Sequence, residues 1–355
     1  MKKKLIIIII LLISIILIML GGWFYLISAP SKNSSEVVLT IDSDDTYSTI
    51  YNKLKSEGLI RSTFAYRLYI KLNTPKSGLE AGEYNLNKNL KLKDLISKLE
   101  DGTSSTMETV TLTFKPGENM RKYIRILTSN FNFTEKEITS KLSDSKYLDS
   151  LINKYWFLTN DIKNKDLYYS LEGYLYPDTY EFYKNSTLEE VFSKLLDNMS
   201  DKLNPYKSQI DSSKYSIHEM LTLASIVELE AGNADDRKGV AGVFYNRLNA
   251  GWSLGSDVTT YYAAKIDLHE RDLYKSELND CNKYNTRSTC MNGKLPVGPI
   301  CNMSVKSIEA SINPSKSDYY YFVADKNGKT YFNKTDSAHV STINKLKKDG
   351  LWFEY

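Results

Sequence analysis

The sequence contains few potential metal ligands and almost no net charge beyond its first four residues. Three histidines and three cysteines in 355 residues leave little material for a zinc centre, and we predict no metal and no other cofactor. The 46 lysines and arginines exceed the 43 aspartates and glutamates by three, and Lys2, Lys3 and Lys4 supply that surplus. Residues 5–355 are therefore formally neutral, whereas a nucleic-acid-binding protein carries its basic excess on the folded domain. Nucleic acid is excluded as the expected partner.

Several function-bearing patterns are also absent from the sequence. It has no phosphate-binding glycine loop and no tandem repeat, and its serines, histidines and aspartates show no spacing that indicates a catalytic triad. Its 42% hydrophobic and 25% charged residues lie near the average of globular proteins, which argues against general disorder. A length of 355 residues favours two domains.

One long apolar run is present at the amino terminus. Residues 5–27 carry no charge, and at about 1.5 Å per residue a helix of this length spans about 34 Å, enough to cross a hydrocarbon core of about 30 Å. The lysines before it predict that residues 1–4 are a cytoplasmic tail and that the rest is extracytoplasmic. We therefore predict a single-pass protein of the cell membrane. A cleaved signal peptide, for which Ser28 and Ala29 supply small residues, is the alternative.

The remaining chain divides into a linker and two domains. Residues 28–36 are small and polar and predict a linker. Residues 37–104 predict a small module of a strand, two helices and a strand. Residues 105–355 follow a glycine-serine break and mix strands and helices without a regular βαβ alternation. The predicted fold class is α+β.

Individual elements are predicted from caps, periodicity and turn residues. Helices are predicted at residues 63–72, 91–99, 119–127, 216–231 and 336–348. Strands are predicted at residues 37–41, 81–86, 110–114, 319–324 and 330–332.

The three cysteines allow two interpretations. Cys281, Cys290 and Cys301 fit no zinc-binding spacing. Cys281 and Cys290 form a disulfide in one interpretation, and all three are incidental thiols in the other.

Two glutamates lie near the end of a strongly apolar helix. Ser216 and Glu219 have the spacing of a capping box, and the following helix is apolar on nearly every face, which is typical of a buried helix. Glu228 and Glu230 leave its last turn on different sides, so they cannot act as a facing pair.

A carboxylate in an apolar pocket suits acid catalysis. Burial raises its pKa, so that it can donate a proton near neutral pH, as glycosidic bond cleavage requires. The other interpretation is that both glutamates are solvated or paired with Arg237 or Arg247. The helical periodicity does not choose between Glu228 and Glu230.

Six ordered blocks resemble one family. Residues 224–230, Ala-Ser-Ile-Val-Glu-Leu-Glu, resemble the A-S-I-V-E-x-E signature of the endolytic murein transglycosylases, the MltG/YceG family. The other similar blocks follow in the family's order at residues 172–180, 243–248, 256–259, 284–300 and 320–339. The small module at residues 37–104 is similar to the LysM-like region of that family. The resemblance covers essentially the whole chain.

The chain departs from the family pattern in one region. Val258 and Val297 replace prolines, Arg287 replaces a tyrosine, and residues 288–294 form a longer insertion. These departures affect the shape of a loop and leave the glutamate signature intact.

The resemblance implies a reaction and a catalytic residue. Glu228 is implied to protonate the departing oxygen of the MurNAc-β-1,4-GlcNAc bond within nascent peptidoglycan strands. It then returns as a base toward the 6-hydroxyl, which gives 1,6-anhydro-MurNAc ends. Glu230 is expected to be structural. Peptidoglycan strands are the implied substrate, and peptidoglycan synthases are implied as partners.

Polar and aromatic residues of the matching blocks are candidates for the glycan cleft. They are Glu172, Tyr176, Asn246, Asp257, Thr259, Tyr284 and Asn285. Their alternative role is in turns, helix contacts and domain packing.

Two other functions remain open. One is a hydrolase in which Glu230 or Asp257 supports an attacking water. The other is a non-catalytic peptidoglycan-binding scaffold of the cell-wall synthesis machinery.

Overall fold

The chain folds into two compact units, Met1–Thr109 and Val110–Tyr355. A computed structural model describes residues 2–32, 34–42, 45–73, 79, 81–101, 109–268 and 270–352, without the side chains of residues 2–10, 12 and 101. The predicted boundary between residues 104 and 105 lies outside the described residues.

The first unit begins with helix α1, Lys2–Leu26. The predicted anchor at residues 5–27 includes residues 5–10 and 12, whose side chains lie outside the described set. Among the described residues, no helix combines the length and the apolar character needed to cross a membrane. The membrane anchor stays a prediction.

The small module of the first unit has the predicted order of elements. They are β1 (Glu36–Ile41), α2 (Tyr47–Ser56), α3 (Thr63–Leu72), β2 (Gly82–Asn87) and α4 (Leu92–Asp101). β1 and β2 are antiparallel, with Leu39 opposite Tyr84. Both side chains are buried in the core of this unit, together with Leu54 of α2 and Leu95 of α4. The strand–helix–helix–strand prediction is confirmed, and the likeness to a LysM module stays a prediction.

The second unit mixes helices with two small sheets, so the predicted α+β class is confirmed. Its strands are β3 (Thr109–Thr113), β4 (Thr179–Tyr183), β5 (Tyr321–Ala324) and β6 (Thr330–Asn333). Its helices before the glutamate signature are α5 (Met120–Asn130), α6 (Glu135–Leu142), α7 (Ser145–Lys154), α8 (Leu188–Leu203) and α9 (Lys207–Asp211). The later helices are α10 (Ile217–Glu230), α11 (Arg237–Asn249), α12 (Asp257–Ala263), α13 (Lys275–Asn279), α14 (Val305–Ile312) and α15 (Asp336–Lys348).

The two sheets of this unit contain two strands each. β3 pairs with β4, and β5 pairs with β6 in an antiparallel hairpin. The hairpin turns at Asp325, whose amide donates to the Lys329 carbonyl at 2.9 Å, and Gly328 provides the left-handed residue with φ of 79°.

Helix α10 is the centre of the second unit. Ser216 and Glu219 form the predicted capping box, with the Glu219 amide 3.2 Å from the Ser216 hydroxyl. Every side chain from residue 217 to 227 except that of Glu219 is buried. Leu221 belongs to one hydrophobic core and Leu223 to another, so α10 separates two cores. A helix that is apolar on nearly all faces suits this position.

The structure confirms the interpretation in which two of the three cysteines form a disulfide. Cys281 and Cys290 form a disulfide with a Cα–Cα distance of 6.0 Å. Cys301 is free and fully buried, and its thiol donates to the Ser225 carbonyl at 3.3 Å.

Candidate active site

Glu228 lies in the last turn of α10 and accepts hydrogen bonds from two neighbouring helices. Its Oε2 accepts from the Ser304 hydroxyl at 2.6 Å and from the Ser304 amide at 2.9 Å. Its Oε1 accepts from Arg237 Nη2 at 3.0 Å. Only 7% of the Glu228 side chain is exposed. The carboxylate is therefore held in one orientation by charge-assisted hydrogen bonds.

Ser304 reaches Glu228 because the preceding loop is fixed against α10. The Ile300 amide donates to the Ser225 hydroxyl at 3.0 Å, one helical turn before Glu228. Ser304 is the N-cap of α14, so the positive end of that helix dipole points at the carboxylate. The Glu228 carboxylate therefore lies at the N-terminus of α14.

The charge of Glu228 acts on the hydroxyl of Tyr176. Burial raises the pKa of the Tyr176 hydroxyl, a hydrogen bond from the Val305 backbone lowers it, and the charges of Asp178 and then Glu228 add to the net increase. The Tyr176 residue is 8% exposed.

Glu230 has a separate set of partners. Its Oε1 accepts a hydrogen bond from the Ser256 hydroxyl at 2.5 Å. Burial raises the pKa of Glu230, the charge of Asp257 adds to the increase, and Ser256 and Arg247 oppose it. Glu228 faces α11 and α14, whereas Glu230 faces the start of α12. The two carboxylates do not form a pair, as their spacing predicts.

Glu172 is 1% exposed and lies beneath the surface rather than in a cleft. Its Oε2 accepts from the Met120 amide at 2.8 Å and from the Tyr262 hydroxyl at 3.0 Å. Asn302 Nδ2 donates to Oε1 at 3.3 Å. Burial raises the pKa of Glu172 to about 7, against the lowering effect of these donors. The carboxyl joins the start of α5 to α12 and to the loop before α14.

Asn302 continues this network toward the candidate active site. Its Oδ1 accepts from the Gly173 amide at 2.9 Å and from the Leu175 amide at 3.1 Å. Asn302 lies two residues before Ser304, and Leu175 directly precedes Tyr176. The Glu172–Asn302 network thus fixes the segments that carry Tyr176 and Ser304, and Ser304 contacts Glu228.

Asn246 and Tyr284 hold loops in place. Asn246 Nδ2 donates to the Ser317 and Tyr319 carbonyls at 2.9 Å each. The buried Tyr284 hydroxyl accepts from the Tyr168 amide at 3.2 Å.

Thr259 and Asn285 are fully buried. The Thr259 hydroxyl donates to the Ser256 carbonyl at 2.7 Å and lies 2.8 Å from that of Thr286. Asn285 Oδ1 accepts from the Thr260 hydroxyl at 2.7 Å. The polar atoms of both side chains thus bind other parts of the protein, and these bonds hold the loop that brings Ser256 to Glu230.

Asp257 is the exposed member of the candidate set. It begins α12, and 58% of its side chain is accessible in an ion pair with Arg287 at 2.8 Å. Arg287 is the residue that departs from the family's tyrosine. Direct glycan contact stays a prediction for all of the candidate cleft residues.

The His218 side chain makes structural contacts. His218 Nδ1 lies 2.7 Å from the Tyr174 hydroxyl, and its Nε2 lies 2.9 Å from the Val297 carbonyl oxygen. In the part of the chain that the structure describes, no three histidine, cysteine, aspartate or glutamate side chains are grouped to bind a metal ion.

Ser304 and Asn302 were not among the residues predicted from the sequence. Both follow the matching Gly-Pro-Ile block, and Ser304 precedes Val305 and Ile308 in the pattern of a helix start. That cap signal identifies α14. The contact with Glu228 spans 76 residues and is not contained in any local pattern.

A cleft of about 220 Å³ adjoins the end of α10. It lies between α5 and α12, and its lining includes Lys122, Leu229, Tyr261 and Asp267. We call it the α5–α12 cleft. Leu229 stands between the two glutamates in the chain, so the cleft borders the candidate active site.

Comparisons with known proteins place the chain in one family. Residues 39–345 match the YceG-like family. The chain is similar to the endolytic murein transglycosylase of Bacillus subtilis strain 168, with 35% identity over 86% of this chain and 84% of that protein. It is 33% identical to the endolytic murein transglycosylase of Streptococcus pneumoniae D39 over 86% of this chain, and it spans 58% of that longer protein.

A solved structure agrees with these matches. The crystal structure of a yceG-like protein from Listeria monocytogenes is similar with a TM-score of 0.61 and 30% identity, covering 87% of this chain and all of that chain. The resemblance found in the sequence is confirmed, and the chain belongs to the YceG-like family.

Proposed function

We propose that this chain is an endolytic murein transglycosylase with Glu228 as its catalytic acid and base. Its relatives in Bacillus subtilis and Streptococcus pneumoniae carry that name. The observation that carries the assignment of Glu228 is its orientation by Ser304 and Arg237 at the junction of three helices. A lytic transglycosylase needs one oriented carboxylate rather than a facing pair.

The proposed reaction begins with proton transfer from Glu228 to the bridging oxygen of the MurNAc-β-1,4-GlcNAc bond. The bond between that oxygen and the muramyl C1 breaks, and positive charge develops on the muramyl ring. The muramyl O6 then bonds to C1, and its hydroxyl proton passes to Glu228. The carboxyl is again protonated, and the product carries a 1,6-anhydro end.

The surroundings of Glu228 suit the charged half of this cycle. After proton donation the carboxylate is stabilised by two donors from Ser304 and one from Arg237. The N-terminus of α14 adds its dipole.

The membrane anchor is part of the proposal. Residues 5–27 would cross the membrane once, with residues 1–4 in the cytoplasm and the catalytic unit outside. The linker at residues 28–36 is short, which would keep cleavage close to the membrane where strands are new. Peptidoglycan synthases are the proposed partners, and the module at residues 37–104 is proposed to be LysM-like.

A hydrolase is the second candidate. The raised pKa of Glu230 and its bond to Ser256, beside Asp257, give that carboxyl the properties of a proton donor next to a second carboxylate. Water would then replace the 6-hydroxyl, and the product would carry a reducing end. A non-catalytic scaffold is the third possibility, and it predicts glycan binding without any new ends.

Product analysis separates these functions. The purified full chain and its Glu228→Gln variant are incubated with uncrosslinked glycan strands, and the ends are identified by mass spectrometry before and after borohydride reduction. We expect anhydro ends from the unaltered protein, none from Glu228→Gln, and retained cleavage in the matched variant Glu230→Gln. Reducing ends would establish the hydrolase, and anhydro ends that persist in Glu228→Gln would refute the role of Glu228.

A further inference from the structure

The α5–α12 cleft lies next to the candidate active site without containing either glutamate. Leu229 from α10 and Val258 from α12 line it, and each directly follows a carboxylate, Glu228 or Asp257. Ile300, on the loop that leads to Ser304, lines it as well. A glycan cleaved at Glu228 would place substituents of its sugars within reach of this cleft.

One cation of the cleft has no ion-pair partner among the described residues. Lys122 is exposed, and none of the described residues forms an ion pair with its ammonium group. Asp267, on the same lining, is compensated by Arg121 at 3.0 Å and by Arg125 at 2.8 Å. Glu118 accepts a hydrogen bond from the Lys115 amide at 3.0 Å. The lining holds two cations, Lys122 and Arg125, and two anions, Glu118 and Asp267, and Arg121 adds a third cation by pairing with Asp267 from outside the lining.

The remaining lining is apolar or aromatic. Leu229, Ile266 and Leu268 contribute aliphatic surface, and Tyr261 contributes a ring whose hydroxyl donates to the Arg271 carbonyl at 3.0 Å. An apolar wall with an unpaired ammonium at its edge suits a group that is partly aliphatic and carries a negative charge. Its volume of about 220 Å³ is below the roughly 300–1,000 Å³ of pockets that enclose drug-sized ligands, so it suits one substituent.

We propose that the α5–α12 cleft binds the carboxylate-bearing substituent of a muramyl residue, with Lys122 contacting the carboxylate. The identity of this ligand rests on the proposed function, because muramyl residues are the anionic component of the proposed substrate. The carboxylate belongs to the stem peptide where one is attached. It belongs to the lactyl ether where the peptide has been removed. The neutral GlcNAc residue offers no such group.

Binding measurements test this proposal independently of cleavage. Calorimetry with the purified full chain uses three soluble ligands: a GlcNAc-MurNAc disaccharide with its stem peptide, the same disaccharide without peptide, and the neutral GlcNAc dimer. One charge-assisted hydrogen bond predicts about tenfold tighter binding of at least one carboxylate ligand than of the neutral dimer. The tighter of the two carboxylate ligands identifies which carboxylate is bound.

Charge reversal supplies the decisive variant. Lys122→Glu is expected to remove the difference between carboxylate and neutral ligands, whereas Lys136→Glu, at an exposed lysine of α6 away from the cleft, is expected to keep it. Melting curves of both variants establish that they are folded. Equal affinities for all three ligands in the unaltered protein, or an unchanged difference in Lys122→Glu, would overturn the proposal. Absence of anhydro ends with intact carboxylate binding would refute the transglycosylase alone.

Discussion

Ser304 supplies two of the three hydrogen bonds that orient Glu228. Ser304→Ala keeps the amide donor and removes the hydroxyl at 2.6 Å. Since a hydrogen bond to a charged group is worth about 1.5–3 kcal/mol, we expect kcat to fall at least about tenfold with little change in KM. The rate of appearance of anhydro ends measures this effect.

Two variants serve as controls for Ser304. Ser304→Thr keeps a hydroxyl at the same atom and is expected to restore most of the rate. Ser307→Ala lies one turn further along α14 and removes a buried hydroxyl that has no hydrogen-bond partner among the described residues. Equal losses in Ser304→Ala and Ser307→Ala would show that the effect belongs to α14 packing rather than to Glu228.

Glu172 gives the protein a pH-dependent stability. Its pKa rises from 4.5 to about 7 on burial, so the folded state binds a proton more tightly than the unfolded state. The contribution of this group to the free energy of unfolding therefore falls as pH rises from 4.5 to about 7. Above pH 7 the buried carboxylate is charged, and it destabilises the folded state by the full amount. The shift corresponds to about 3 kcal/mol.

Urea unfolding of the unaltered protein and of Glu172→Gln, at pH 5 and pH 8, tests this sign. We expect the stability of the unaltered protein relative to the variant to fall from pH 5 to pH 8, because glutamine has no proton to release. Parallel pH profiles for the two proteins would contradict a raised pKa at Glu172.

The sequence predicts which carboxylates are candidates but not their surroundings. Glu228 is distinguished from Glu230 only by the family signature, which is a local pattern, and its catalytic role stays a prediction. Glu172 is a candidate for the cleft because it lies in a block that matches the family, and the aromatic residues of that block favour the alternative of domain packing. Its partners Met120 and Asn302 are 52 and 130 residues away, and no local pattern reports such contacts.

Among the secondary-structure elements, α11 depends on close packing at two glycines. A Cβ built on Gly242 would lie 2.4 Å from the backbone oxygen of Ser315, and one built on Gly239 would lie 2.4 Å from the ring of Phe332. A ring can turn away, whereas the Ser315 carbonyl belongs to a loop held by Asn246.

We therefore expect Gly242→Ala to destabilise the protein more than Gly239→Ala. Overpacking costs about 1–3 kcal/mol, less the helix-propensity gain of about 1 kcal/mol from replacing glycine by alanine. The midpoint of urea unfolding measures both variants. A larger loss at Gly239 would show that the β6 hairpin is the more rigid neighbour of α11.

Elements with local signals were predictable, and pairings between distant segments were not. The predicted helices at residues 63–72 and 336–348 agree with α3 and α15, because each has a cap residue followed by a regular apolar stripe. The hairpin of β5 and β6 was found through its turn residues. The pairing of β3 with β4 joins strands on either side of three helices, and nothing within either strand specifies it.

At the scale of the whole molecule, each unit has hydrophobic cores of its own. The core that contains Leu54 draws only on the first unit, and the cores on the two sides of α10 draw only on the second. Arg237 and Ser304, which orient Glu228, also belong to the second unit. Among the described residues, the hydrophobic cores of the second unit and the side chains that hold Glu228 therefore come from that unit alone.

A fragment of residues 109–355 is accordingly expected to unfold cooperatively and to release anhydro ends. Its start is set by β3, because Leu112 is 4% exposed in the core and β3 is the partner of β4. A matched fragment of residues 115–355 loses that strand, and burial of one leucine alone is worth about 1.5–3 kcal/mol. We expect its melting temperature to be clearly lower. Two fragments of equal stability would show that β3 contributes little to the second unit, and failure of the longer fragment to fold would show that the units depend on each other.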